Sequence, residues 1–207
     1  ASEGRTVLFV SHNIAAIRKL CQQGLYIKNG KISCHSSVEE VVSRYLGNIE
    51  DHSDHEIFTE ENRPGLGLVR LKGVKLLNNG KETKIIEIGT PVVFEFLVSE
   101  LLPQLTCTFS IYNQYGEMIA TFSNYDKGIY DSFDNKLKNK IVCEIDQFLL
   151  YPGRYRLNVA LKVNDDIQDH IEGALIFDVK QGYFDGRMIN PTNAKVYLQH
   201  RWKMSFK

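Results

Sequence analysis

Thr106, Thr108, Ser110 and Tyr112 alternate with Leu105, Cys107, Phe109 and Ile111 along one short run of the chain. A period of two sends successive side chains to opposite faces of a strand, so three hydroxyls and a phenol share one face and the apolar residues the other. Hydroxyls both donate and accept hydrogen bonds, and an aromatic ring adds a flat apolar surface. Glu95, Arg156, Asn158 and Lys162 carry further polar groups in other alternating stretches. If those stretches are neighbours, they make a polar trough with one aromatic, fit for noncovalent recognition. The same pattern also describes an ordinary solvated sheet face.

Other candidates are weaker. The loop from Asn124 to Asn135 mixes Tyr125 and Tyr130 with carboxylates, at a length where loops tend to carry function. Its spacing is not that of a calcium loop, and a plain connection is the alternative. His52 and His55 lie three apart among carboxylates, but no further ligand framework supports a metal. Glu95, Glu144 and Asp178 are not paired by spacing, so no acid–base couple for glycan chemistry is visible. Trp202, the one tryptophan, reads as a core or dimer anchor rather than a ligand platform.

Lys plus Arg and Asp plus Glu number 25 each in 207 residues, and that balance argues against a nucleic-acid partner. Hydrophobic residues make up 43%, enough for a sizeable core. No apolar run is long enough to span a bilayer, and no basic-then-apolar leader opens the chain. Cys21, Cys34, Cys107 and Cys143 form no C-x-x-C pair. Cys107 and Cys143 both point inward on their strands; a bridge across the core or two buried thiols would fit, the latter suiting a reducing compartment.

The elements that must position these residues come in two groups. Arg5–Val10 reads as a continuous apolar strand ending in Ser11-His12-Asn13, followed by a helix with Ile14, Ile17, Leu20 and Cys21 on one face. A hairpin on Asn29-Gly30 follows, then a helix with a Ser37/Glu40 capping box and Gly47 at its end. Residues 48–66 read as a charged, solvated linker, its middle pinned to a neighbouring surface by Ile57 and Phe58. From 67 to 207, strands are expected at Leu68–Leu77, Ile85–Ile88, Val92–Val98, Leu105–Tyr112, Met118–Asn124, Lys140–Ile145, Gly153–Val163, Ala174–Val179 and Ala194–Trp202. Eight or nine short strands separated by turns imply a mainly β, antiparallel β-sandwich of immunoglobulin-like or jelly-roll type.

Thr6-Val7-Leu8-Phe9-Val10-Ser11-His12-Asn13, then Leu25-Tyr26-Ile27-Lys28-Asn29-Gly30-Lys31-Ile32 and Glu39 to Leu46, resemble the end of an ABC-transporter ATPase domain. Leu149 to Leu157, Phe177-Asp178-Val179 and Val196 to Trp202, in that order behind such a tail, resemble the ATPase subunits of polysaccharide exporters, specifically the O-antigen, Wzt-type branch. The resemblance implies a remnant of the ATPase domain at 1–47 and a cytoplasmic carbohydrate-binding module at 67–207. That module would recognise lipid-linked O-polysaccharide, with the trough residues above as its site. The subunit would sit at the inner membrane through its permease partner. A homodimer is implied, with strand 194–202 exchanged between protomers; residues 181–193 have the length of a crossover.

In an intact subunit, His12 would be the switch histidine beside the γ-phosphate of ATP, with magnesium. The sequence has no G-x-x-x-x-G-K-[ST] phosphate loop. As it stands the chain is therefore expected to be neither an ATPase nor a holder of a cofactor. Residues 5–47 are expected to fold back on the sandwich or pair with another chain. The alternative to glycan recognition is a ligand-free dimerisation or regulatory domain.

Overall fold

In Val92–Val98 the side chains of Val92, Phe94, Phe96 and Val98 are buried and those between them only partly so, as one-sided alternation requires. The computed structural model describes residues 6–11, 14–28, 30–50, 56–59, 63–125, 128, 129, 131, 132 and 138–204. Its N-terminal elements are α1 (Ile14–Leu20), β1 (Gln23–Lys28), β2 (Lys31–Ser37), α2 (Val38–Glu50) and α3 (Glu56–Thr59). There follow β3 (Leu71–Asn78), β4 (Lys81–Glu82), β5 (Ile85–Glu87), β6 (Val92–Val98), β7 (Leu105–Asn113) and β8 (Met118–Ser123). The last are β9 (Lys140–Ile145), β10 (Gly153–Val163), β11 (Asp166–Lys180), β12 (Gly182–Phe184) and β13 (Arg187–Ile189).

Two sheets face each other, β5-β11-β10-β7-β8 and β4-β3-β6-β9. This is the mainly β sandwich expected. One pair departs from the antiparallel rule: β5 runs parallel to the end of β11, Asp178 opposite Ile85. Between the sheets Phe94 meets Phe109 at 5.3 Å and Phe177 at 6.0 Å, while Phe109 stacks on Phe122 at 4.8 Å. Burying each such ring stabilises the fold by roughly 1.5–3 kcal/mol. Cys107 joins this core and Cys143 packs partly against it, and both thiols are free. Burial pushes the Cys107 thiol up to about 12, so it is protonated at neutral pH.

The Tyr155 hydroxyl donates to the Tyr151 carbonyl at 2.7 Å. A strand tyrosine reaching back to the chain just upstream is the corner found in immunoglobulin-like sandwiches. It fastens the Pro152-Gly153 entry to β10.

Five sequence expectations change. β11 begins at Asp166, not Ala174, immediately after a two-residue turn in which Asn164 and Asp165 have φ of 51° and 68°. The first half of β11 resembles a polar turn because it carries Gln168 and Asp169, and both are buried. Arg63 and Arg70 pair with the Asp169 carboxylate at 3.0 and 2.9 Å, and the Leu71 amide donates to it at 2.8 Å.

Second, Ala194–Trp202 is not a sheet strand. It makes one bridge, Val196 to Leu150, because the Leu149–Tyr151 segment beside it belongs to no sheet and offers no ladder. Third, residues 181–193 hold a hairpin, β12–β13, on Asp185-Gly186 rather than a plain crossover. Fourth, α2 continues through Gly47 to Glu50. Fifth, Thr6–Val10 is not a strand, and Val7, Leu8, Phe9 and Val10 are exposed; an unbroken apolar strand needs sheet neighbours that the described residues do not supply.

Residues 14–50 do fold back onto the sandwich. Ile14, Val38 and Val42 form a small core of their own, joined by Ile17, Cys21, Tyr45 and Leu46, whereas Leu20 faces solvent. The Ser37 hydroxyl caps α2, accepting from the Glu40 amide at 3.4 Å. Ile14 lies over Gly116, where an added Cβ would come within 2.7 Å of it, and Arg18 donates to the Tyr115 carbonyl at 2.8 Å.

The segment read as a linker is tied down as well. Phe58 packs on the sandwich core, and the Leu66 and Gly67 amides donate to the Ile167 and Gln168 carbonyls at 2.9 and 3.0 Å. Gly65, at φ 117°, lies so close that a Cβ would sit 2.5 Å from the Gln168 backbone. Only glycine fits there. His52 and His55 lie outside the described residues.

Candidate functional site

The antiparallel register of β7 and β10 decides which side chains meet. Thr106 lies opposite Lys162, Ser110 opposite Asn158 and Tyr112 opposite Arg156, with Ala160 across from Thr108. On the other flank β8 places Ser123 beside Thr108 and Thr121 beside Ser110, their hydroxyls 3.0 Å apart in each pair. The outer face of the five-stranded sheet is thus a band of hydroxyls edged by Lys162 and Asn158. It ends at an aromatic–guanidinium stack, with Arg156 Cζ 4.7 Å from the Tyr112 ring centre.

Seven expected site residues, Thr106, Thr108, Ser110, Tyr112, Arg156, Asn158 and Lys162, therefore share one face. Glu95 does not join them. It lies on β6 in the opposite sheet, paired with Lys140 at 3.1 Å, because alternation alone cannot say in which layer a strand lies. Tyr125 lies two residues past the end of β8. It is 67% exposed and its amide donates to Ser123 Oγ at 3.2 Å, at the Thr108 end of the band. Tyr130 and His12 lie outside the described residues.

The face is not uniformly open. Thr106, Thr108, Ser110, Tyr112 and Lys162 are half-buried, but Arg156 is only 8% and Asn158 only 9% exposed. Asn158 accepts from the Gly173 amide at 2.9 Å within a bulge of β11. That bulge turns Glu172 toward Arg156, with Oε2 and Nη1 4.0 Å apart, and the Tyr45 hydroxyl of α2 donates to the same Oε2 at 2.5 Å. Burial and the Glu172 carboxylate hold the Tyr45 phenol well above its usual range.

Sequence reasoning passed over Glu172 and His170, which lies opposite Ala160, because the first half of β11 did not read as a strand. Tyr45 shares the apolar face of α2 with Val38 and Val42. Its chance of being found lay in its polar hydroxyl at that position.

Residues 60–189 match the family model described as the Wzt C-terminal domain. The chain belongs to the Wzt C-terminal domain family. That places it in the setting of ABC-type polysaccharide export, as a non-catalytic domain.

Among solved structures, the chain is similar to the crystal structure of the C-terminal domain of Wzt. The identity is 13% and the TM-score 0.48, over 73% of this chain and 99% of that one. It is also similar to a Bifidobacterium dentium beta-glucuronidase complexed with coumarin-3-O-glucuronide (12% identity, TM-score 0.35, 55% of this chain and 18% of that one). An FMN-binding beta-glucuronidase from Facaelibacterium prausnitzii L2-6 is a third (17%, TM-score 0.32, 54% and 15%). No curated protein matches the sequence. Among the described residues, no helix is long and apolar enough to cross a membrane.

Proposed function

We propose that this Wzt C-terminal domain is a non-catalytic module that recognises lipid-linked O-antigen polysaccharide in the cytoplasm and couples it to an ABC exporter. The observation that carries this reading is the single band formed by Thr106, Thr108, Ser110, Lys162 and Asn158, ending on the Tyr112–Arg156 stack. A hexose offers hydroxyl edges and an apolar C–H face. The band answers the first with groups that donate and accept, and Tyr112 and the nearby Tyr125 answer the second. The band lies along the outer face of a sheet, which suits a polymer lying across it better than a small molecule held in a cleft.

Residues 1–47 are read as the end of an ATPase domain whose intact form binds ATP and magnesium and contacts the permease at the inner membrane. A second reading, a dimerisation domain, is favoured by the exposed Val196, Leu198, Trp202 and Met204 in a segment that pairs with no sheet. Exchange of segment 194–202 between two copies would supply such a dimer whether or not the band takes a ligand, so this reading in its ligand-free form rests on the band staying empty.

Titration calorimetry of the purified chain with O-polysaccharide from the source strain and from an unrelated strain tests recognition. Thr108→Ala combined with Ser110→Ala is expected to weaken binding roughly tenfold, at about 0.5–1.5 kcal/mol for each hydrogen bond lost. Unchanged affinity in the double variant would remove this face as the site.

A further inference from the structure

One end of the band is closed by the chain itself. Glu172 Oε2 accepts from the Tyr45 hydroxyl at 2.5 Å, while Nη1 of Arg156 stands off at 4.0 Å, beyond hydrogen-bond reach. Among the described residues neither Nε nor Nη1 of Arg156 has a hydrogen-bond partner, although both are buried. A guanidinium that is buried and under-satisfied carries a standing penalty. With α2 docked, Glu172 is satisfied by Tyr45 while Nε and Nη1 of Arg156 are not, and any acceptor that reached the guanidinium would relieve it.

We propose that α2 is a latch on the sandwich, with Tyr45 and an incoming polysaccharide competing for the Arg156–Glu172 end of the band. This rests on the reading of the band as a glycan site. A sugar oxygen accepting from Arg156 enters beside Glu172, the carboxylate that Tyr45 holds, so occupancy there displaces Tyr45 and frees α2. Since α2 packs with α1 through Ile14, Val38 and Val42, release moves the whole N-terminal unit. Occupancy of the glycan face is in this way transmitted to the segment that precedes the sandwich, with no change needed in the sandwich core. Two states that each leave one polar group short of a partner lie close in free energy, which is what a ligand needs in order to shift them.

Tyr45→Phe removes the hydroxyl but keeps the ring that meets Tyr26 edge-on at 5.5 Å, so the N-terminal unit retains its packing. O-polysaccharide released from the lipopolysaccharide of the source strain is the probe, read by calorimetry and by hydrogen exchange over residues 38–50. The expected result is roughly tenfold tighter binding by Tyr45→Phe, since a ligand no longer works against the latched population. Faster exchange in α2 of the unsubstituted chain is expected when polysaccharide is added. Binding by the variant alone would support the latch further. Equal or weaker binding by the variant, with α2 exchange unmoved by polysaccharide, overturns the latch and leaves the glycan reading intact. Absence of binding by both chains overturns the glycan reading and the latch with it.

Discussion

Asp169 is the residue whose surroundings explain most about the linker. It is 1% exposed, and its two oxygens serve Arg63, Arg70 and the Leu71 amide. Arg63 is itself buried and also donates to the Leu71 carbonyl at 3.2 Å. Swapping the whole cluster for apolar residues of similar volume can be nearly neutral, but removing one partner strands a buried charge. Asp169→Ala is therefore expected to destabilise the fold by about 3–5 kcal/mol, measured by urea unfolding at neutral pH. A loss below about 1 kcal/mol, the size of a surface pair, would show that Arg63 finds water when its partner goes.

The turn between β7 and β8 is the element that gathers the most distant parts of the chain. Asn113 Oδ1 accepts from the Tyr115 and Glu117 amides at 3.0 and 2.9 Å, which shapes the turn. Its outer side receives Arg18 and Ile14 from α1, and Glu117 pairs with Lys195 of the C-terminal segment at 2.6 Å. The hydrogen bonds from Lys195 and Asn113 hold the Glu117 carboxyl below the usual carboxylate range. A depressed carboxyl stabilises the fold at pH values above its unfolded pKa of about 4.3, and that contribution is lost as the pH falls through the lower folded value. NMR titration should show the Glu117 carboxyl titrating below about 4.3, with the Lys195 and Tyr197 amides shifting in the same step. Because the pair is well exposed, 0.5 M salt should shrink the effect; a Glu117 carboxyl titrating in the ordinary range would mean that the tie does not hold in solution.

At the scale of the molecule, one chain leaves its last segment incomplete. Tyr197 is buried and its amide donates to the Leu149 carbonyl at 2.8 Å, yet Leu198, Trp202 and Met204 face solvent, Trp202 at 75% exposure. Trp202 is thus no part of the core formed by the described residues, and its ring meets His200 edge-on at 5.8 Å. A second copy that takes up this segment would bury it, in keeping with a strand-exchanged dimer. Sedimentation at micromolar concentration should give a dimer for the unsubstituted chain and a monomer for Leu198→Asp combined with Trp202→Ser. A monomeric unsubstituted chain would exclude the exchange.

The limits of β6, β9 and β10 could be read directly from the sequence, because apolar residues recur at every second position within a few residues, although only β6 is buried on one side alone. The same local rule put Thr106, Thr108, Ser110 and Tyr112 on one face and identified the sandwich. The first half of β11 was illegible: an aspartate looks like a turn residue until its arginine arrives from 99 residues away. The layer to which Glu95 belongs, the course of 194–202 outside any sheet and the bond from Tyr45 of α2 to Glu172 were hidden for the same reason. Local pattern decides which way a side chain faces along its own strand. What stands opposite it depends on contacts between distant segments, and those exist only once the chain has folded.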